Sequence, residues 1–352
     1  MITGHADERS ENPVIAVIGN DVPRQLVLAC GAVPHRLTGS WTGPIGAKAR
    51  DLLGAADAVA ARILADLLEG GDRIDALIVC NDSQAYLRLF YALRAIGWDT
   101  PVHLLDMPRD DTPPARRFAG SQYRALISFC ASITGRSPDV RSLRSAASQE
   151  RSLGDALARL RERRRDGRCA GAEALEAVLA SGRVPPVDAV RLLDATGADE
   201  AVGTGIRLHV TGSNHPDATV YRRLEQHGVM IVSEDHDTGE RAWLGHAMDA
   251  DNIDDVIDGL IEIHLARIPA SSTSSAAARA ELTASIVGAA RADAVVALIR
   301  DLDEAPLWDL ADQAESLAAL GIPFTVRSRI PPDAALSEAA EAVDSVRTGT
   351  RT

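Results

Sequence analysis

Short apolar, β-branched runs, each followed by a polar turn and then a helical segment, recur along this chain and restrict it to an α/β architecture. Val14-Ile-Ala-Val-Ile18 ends at Gly19 and has the continuous apolar pattern of a strand buried on both faces of a parallel sheet. Asp21-Val-Pro23 then opens a helix, with Asp21 expected as N-cap and Pro23 in the first turn. That helix ends near Gly31, and Val33-Pro-His-Arg-Leu37 returns as a strand. A helix over about 57–69 stops at Gly70-Gly71. Asp75-Ala-Leu-Ile-Val-Cys80 is the clearest strand, Asn81-Asp82-Ser83 caps a helix running to Ile96, and Val102-His-Leu-Leu105 is a further strand.

From about 115 the grammar changes. Leu143, Ala147, Leu153, Leu157 and Leu160 follow a helical period with no strand among them. The strand–helix alternation resumes at Ile206-Arg-Leu-His-Val210. Val229-Met-Ile-Val232, Ala294-Val-Val-Ala-Leu-Ile299 and Ile322-Pro-Phe-Thr-Val326 are strands, and 252–266 and 308–320 are helices. The expected division is a polar tail (1–12), an N-terminal α/β domain (13–114), a helical region (115–204), a C-terminal α/β domain (205–331) and a loose tail (332–352). The fold class is α/β: two Rossmann-like parallel-sheet domains with an intervening helical region. In such sheets ligands bind beyond the carboxyl ends of the strands, so the loops at 19–23, 80–84, 211–217, 234–241 and 301–308 are expected to face one cleft.

Composition narrows the partners. The 352 residues carry a formal charge of −13, which argues against general affinity for nucleic acid or an anionic membrane. Every basic residue except Lys48 is arginine. Four cysteines without a Cys-x-x-Cys pair exclude a disulfide framework and a self-contained zinc site. The polar, acidic start and the lack of a long apolar run point to a cytoplasmic protein.

The strand-to-helix turns lack Gly-x-Gly-x-x-Gly, a Walker loop and a serine nucleophile elbow, which counts against a nucleotide dehydrogenase, a kinase and an α/β-hydrolase. Cys80, at the end of the best strand and before a helix, is either a thiolate favoured by that helix or a small residue filling space. The loop Glu234-Asp-His-Asp-Thr-Gly-Glu-Arg241 offers oxygen ligands for a hard cation or an acid–base set, against a solvated turn as the plain alternative. The arginine run 159–168 offers an anion site, or a solvated helix end.

The order of these segments resembles the 2-hydroxyacyl-CoA dehydratase/benzoyl-CoA reductase family, D-component type. The resemblance rests on Val14 to Leu37, on Asp75-Ala-Leu-Ile-Val-Cys-Asn-Asp-Ser83, on Val210-Thr-Gly-Ser213, on the 234–241 loop and on Gly321-Ile-Pro323, spanning roughly 13–330. It implies two α/β domains and a helical one, and a [4Fe-4S] cluster held mainly by cysteines. It further implies an ATP-dependent activator protein and a coenzyme A thioester as ligand. Where the family carries cysteines, this chain has Asn20, Asp57 and Asp237, which leaves Cys80 as the single ligand-like thiol. The resemblance therefore implies a heterodimer with a homologous cysteine-bearing subunit, with Cys80 as cofactor and metal ligand. Asn20, Asn81, Asp82, Ser83, Thr211, Gly212, Ser213, Glu234, His236, Asp237 and Arg241 would shape the substrate pocket. The alternatives are a non-redox acyl-CoA binding or scaffold protein, and an iron-free lyase or hydrolase using Asp237, His236 and Glu234.

Overall fold

A computed structural model describes residues 12–71, 73–197, 205–239, 241–247 and 251–349; the expected N-terminal tail up to residue 11 and Glu240 of the acidic loop lie outside the described residues. The first half runs β1 (Val14–Ile18), α1 (Arg24–Ala29), β2 (Val33–Arg36), α2 (Ala47–Leu53), α3 (Ala58–Glu69), β3 (Ala76–Cys80), α4 (Gln84–Ala95) and β4 (Val102–Leu105). Four helices follow: α5 (Pro113–Thr134), α6 (Val140–Arg165), α7 (Gly171–Ser181) and α8 (Pro186–Asp194). The second half runs β5 (Ile206–Gly212), α9 (Thr219–Gln226), β6 (Val229–Glu234), α10 (Ile253–Leu265), α11 (Ala276–Ala290), β7 (Ala294–Arg300), a 3-10 turn (Ala305–Trp308), α12 (Leu310–Ala319), β8 (Phe324–Ile330) and α13 (Ala335–Thr348).

The strands form two four-stranded, all-parallel sheets of the same relative order, β2-β1-β3-β4 and β6-β5-β7-β8. Hydropathy sorts the positions. The fully buried runs of β3 and β7 take the interior, while Pro34, which cannot donate to a ladder, lies in the edge strand β2. Helix starts follow local capping chemistry. Asp57 accepts from the Val59 amide at α3, Ser83 from Ala85 at α4, and Asp139 with Ser142 completes a capping box on α6.

Two expectations give way. Asp21 does not cap α1: Pro23 occupies the N-cap position, and the Asp21 carboxylate turns to Arg267 at 2.8 Å. The segment from 332 is not a loose tail, because α13 lies on the second sheet with Ala339, Ala342 and Val343 buried beside Leu224 and Ile330. Alanine carries much of that helix's apolar face, so its periodicity is faint; the alanine-rich α11 escaped notice for the same reason.

Packing crosses the chain's halves. Val256, Ile257, Leu260 and Ile261 of α10 complete the core under the first sheet with Ile15, Leu26 and Tyr123. Conversely, Trp41 from the first half and Leu175 and Leu179 of α7 enter the core under the second sheet. Among the described residues no helix is long and apolar enough to cross a membrane. Val343→Asp places a charge in the second core and is expected to lower the unfolding free energy by about 3 kcal/mol or more. Urea denaturation checks this, and an unchanged midpoint would contradict the role given to α13.

Candidate functional site

The carboxyl ends of the two sheets face each other across a cavity of about 520 Å³. Its wall is drawn from the N-terminus of α3, the turn after β3, and the loops after β5, β6 and β7, with Asp57, Asp82, Asn214, Asp237, Arg300 and Asp303 among the lining residues. The loops after β3, β5, β6 and β7 reach it from strand ends because the strands within each sheet are parallel.

Buried charge pairs hold the two rims together. The guanidinium of Arg300, the last residue of β7, donates to both carboxylate oxygens of Asp57 at 2.9 and 2.8 Å. It also reaches the Asn214 side chain at 2.7 Å and lies 5.1 Å from the Trp41 ring centre. Burial works against its charge, but Asp57 and Asp303 hold Arg300 firmly protonated. Arg267 donates to Asp21 at 2.8 Å, and the Asn20 amide nitrogen donates to the Asp237 carbonyl at 3.0 Å. Thr38 donates to the Pro216 carbonyl at 3.0 Å, and the Trp41 amide donates to Asp217 at 2.9 Å.

Beneath the second rim lies a second polar layer. Arg279 contacts both Asp235 at 3.1 Å and Asp309 at 3.3 Å, and Thr283 donates to Asp235 at 2.5 Å. Burial penalises the Asp235 charge, yet Arg279 and His209 outweigh it and hold this carboxylate well below its ordinary range. His236 accepts or donates to Tyr221 at 2.8 Å and to Thr238 at 3.0 Å. Burial pushes its pKa down to about 3, so it is neutral across the physiological range.

Of the residues expected to shape a pocket, Asp82, Ser83, Gly212, His236 and Asp237 line the cavity. Asn20 lies at its margin, in a small neighbouring pocket between the first sheet and α6. Asn81, which donates to Asp106 at 2.8 Å, and Arg241, which donates to Asp237 at 2.9 Å, line a separate pocket with Asp21 and Arg267. Thr211, Ser213 and Glu234 are not in the cavity wall. Thr211 accepts from Gln313 at 3.2 Å, Ser213 donates to Asp303 at 2.6 Å, and Glu234 is paired with the buried Arg164. The arginine run is spent internally as well, Arg159 on Asp194 and Arg163 on the Leu193 and Thr196 carbonyls. Arg300, Arg279 and Arg267 were not singled out from the sequence. Only Arg300 carried a usable signal, a charge closing an otherwise apolar strand.

Cys80 departs from the thiolate expectation. Helix α4 begins four positions later, and the side chain is buried in the first core, so burial and then Asp82 and Asp21 push its thiol pKa well up. Cys30, which donates to the Ile127 carbonyl at 3.9 Å, and Cys130 lie in the same core, and Cys169 lies among the helices α6 to α8. All four are free and buried. The resemblance implies a cluster held mainly by three cysteines, and at positions where it implies cysteines stand Asn20, Asp57 and Asp237, already engaged with protein partners. These residues do not fit a cysteine-ligated cluster.

Parallel sheets of equal order meeting at a polar cavity define a two-halved α/β protein. The family model for the 2-hydroxyglutaryl-CoA dehydratase D-component matches residues 20–326, and the chain belongs to this family. No curated protein matches the chain.

Two outcomes follow from the buried charges. Arg300→Met leaves Asp57 and Asp303 without their cation and is expected to cost about 3–5 kcal/mol in urea unfolding; a loss under ~1 kcal/mol would show the pair to be solvated. Asp82, with its pKa raised to about 7 by burial and by Asp21 and Asp237, has a folded value above the unfolded value of about 4. Its contribution to stability is therefore full below about pH 4 and is lost as pH rises through about 7. Asp82→Asn should match the native chain at about pH 4 and exceed it at about pH 8 by on the order of 4 kcal/mol. Thermal melts across that range check the sign.

Proposed function

We propose that this chain is the cluster-free subunit of a 2-hydroxyacyl-CoA dehydratase-like complex. It helps to hold an acyl-CoA thioester in the cleft, while a homologous cysteine-bearing subunit carries the [4Fe-4S] cluster and receives electrons from an ATP-dependent activator protein. The observation that carries this reading is the fate of the three positions where the family resemblance places ligating cysteines. Asn20 bridges to the Asp237 backbone, Asp57 is bound by Arg300, and Asp237 is bound by Arg241. The cleft itself is polar, with Arg88 and Arg109 on its wall as counter-charges for an anionic ligand. Membership of the dehydratase family supports the complex and its thioester substrate.

The burial of Cys80 favours a second reading, a non-redox acyl-CoA binding or scaffold protein without turnover. One preparation separates the two. After strictly anaerobic purification, the chain alone should contain near zero iron and acid-labile sulfide, and the complex isolated with its cysteine-bearing partner should contain both. About four irons on the isolated chain would overturn the cluster-free assignment. An iron-free preparation that binds acyl-CoA and isolates no such partner would establish the second reading instead.

A further inference from the structure

Among the described residues, three other than glycine hold a left-handed backbone: Arg291, Leu302 and Arg329. Two have local causes. Arg291 closes the end of α11, and Arg329 lies where β8 slips out of register against β7. Leu302, at φ +63°, takes the third position of the turn after β7, which the Asp303 N–H closes onto the Arg300 carbonyl at 3.3 Å. Glycine or asparagine suits a positive φ there, whereas a leucine is strained. Both ends of the turn are clamped: Arg300 is bound to Asp57, and Asp303 accepts from Ser213 at 2.6 Å. Its surroundings therefore hold the strained residue in place.

This strain does not serve the core. Leu302 is 48% exposed and belongs to none of the hydrophobic clusters of the described residues. It lines the cavity instead, in a stretch with Asp303, Glu304, Ala305 and Pro306. The rest of the wall is built from charged, hydroxyl, amide and small side chains with the Tyr86 and His236 rings, so among the described residues Leu302 is its one large aliphatic group. Tyr86 is packed against the core under α3 and α4.

We propose that Leu302 is the acyl-contact residue of the cleft, held on the wall by its strained turn so that it covers the alkyl chain of an acyl-CoA thioester and favours chains longer than acetyl. The acyl group rests on the reading given under Proposed function; the placing of an apolar contact at Leu302 rests on the wall itself. A half-exposed leucine gains from a ligand only by shedding water against an apolar group, so a short alkyl chain is the part of such a ligand that suits it. The contact is non-covalent: no bond forms and no proton or electron moves.

The test is calorimetric titration of the full-length chain with butyryl-CoA and acetyl-CoA, which share the thioester and differ by two methylenes. Burying both against an apolar side chain corresponds to about a tenfold preference for butyryl-CoA in the native chain. Leu302→Asn, which tolerates the left-handed backbone, should reduce that preference to about threefold or less and leave acetyl-CoA affinity within about twofold of native. Leu302→Met keeps an aliphatic side chain and should keep the preference. Leu302→Asn should also melt no lower than the native chain, because the side chain it removes is strained and outside the core. A native chain without preference, or a preference that survives in Leu302→Asn, would overturn the proposal while leaving the acyl-CoA reading intact. A melting temperature lowered by more than about 4 °C in Leu302→Asn would assign the side chain to packing and overturn it as well. If neither thioester binds the native chain, the acyl-CoA reading fails and the acyl contact falls with it.

Discussion

The contact between Arg300 and Asp57 joins the end of a central strand in one sheet to the start of a helix against the other. Both partners are largely withdrawn from water, so their charges are costly unless they meet, and they meet only when the two rims are in register. Asp57 serves twice, since the same carboxylate caps α3 through the Val59 amide. The shape of the cavity thus depends on a few buried ions whose partners are hundreds of residues away in sequence. Crossed packing reinforces this arrangement, with α10 placed under the first sheet and α7 under the second.

The same constraint explains why the cleft is poor in soft donors. A thiolate needs an electropositive, partly exposed setting, whereas Cys80 lies in an apolar core beside two acids. Hard oxygen and guanidinium groups occupy the rim instead, and each pairing of acid with arginine both closes the cleft and removes a potential ligand. Family membership therefore coexists with a site whose chemistry differs from the cysteine-ligated pattern, in keeping with the general independence of fold and function.

Much of the architecture was legible because parallel strands buried on both faces must be continuous apolar runs, as in β1, β3 and β7. The helix starts at Asp57 and Ser83 were equally readable, since a cap is a local hydrogen bond within a few residues. Asp21 shows the limit of that logic: the residue type suits a cap, but a distant arginine competes for the carboxylate and wins. Alanine-rich α11 and α13 were obscured because small side chains blur the contrast between buried and exposed faces.

At the site, local pattern placed the loops but not the partners. Strand direction sent parts of the loops at 80–84, 211–217, 234–241 and 301–308 to one cavity wall, whereas the 19–23 loop, expected there too, lines the neighbouring pockets instead. Which acid would be neutralised, and which left alone, could not be read from one segment. Arg241 lies four residues from its partner Asp237, but Arg267, Arg279 and Arg300 reach their acids across the fold, and among the described residues Asp82 has no ion-pair partner, with Arg36 hydrogen-bonded to the Asp237 carbonyl and Arg267 to Asp21. Periodicity and capping act over a few residues and were determined by the sequence itself. Burial, charge pairing and the resulting proton affinities depend on what converges in space, and only the tertiary structure decided them.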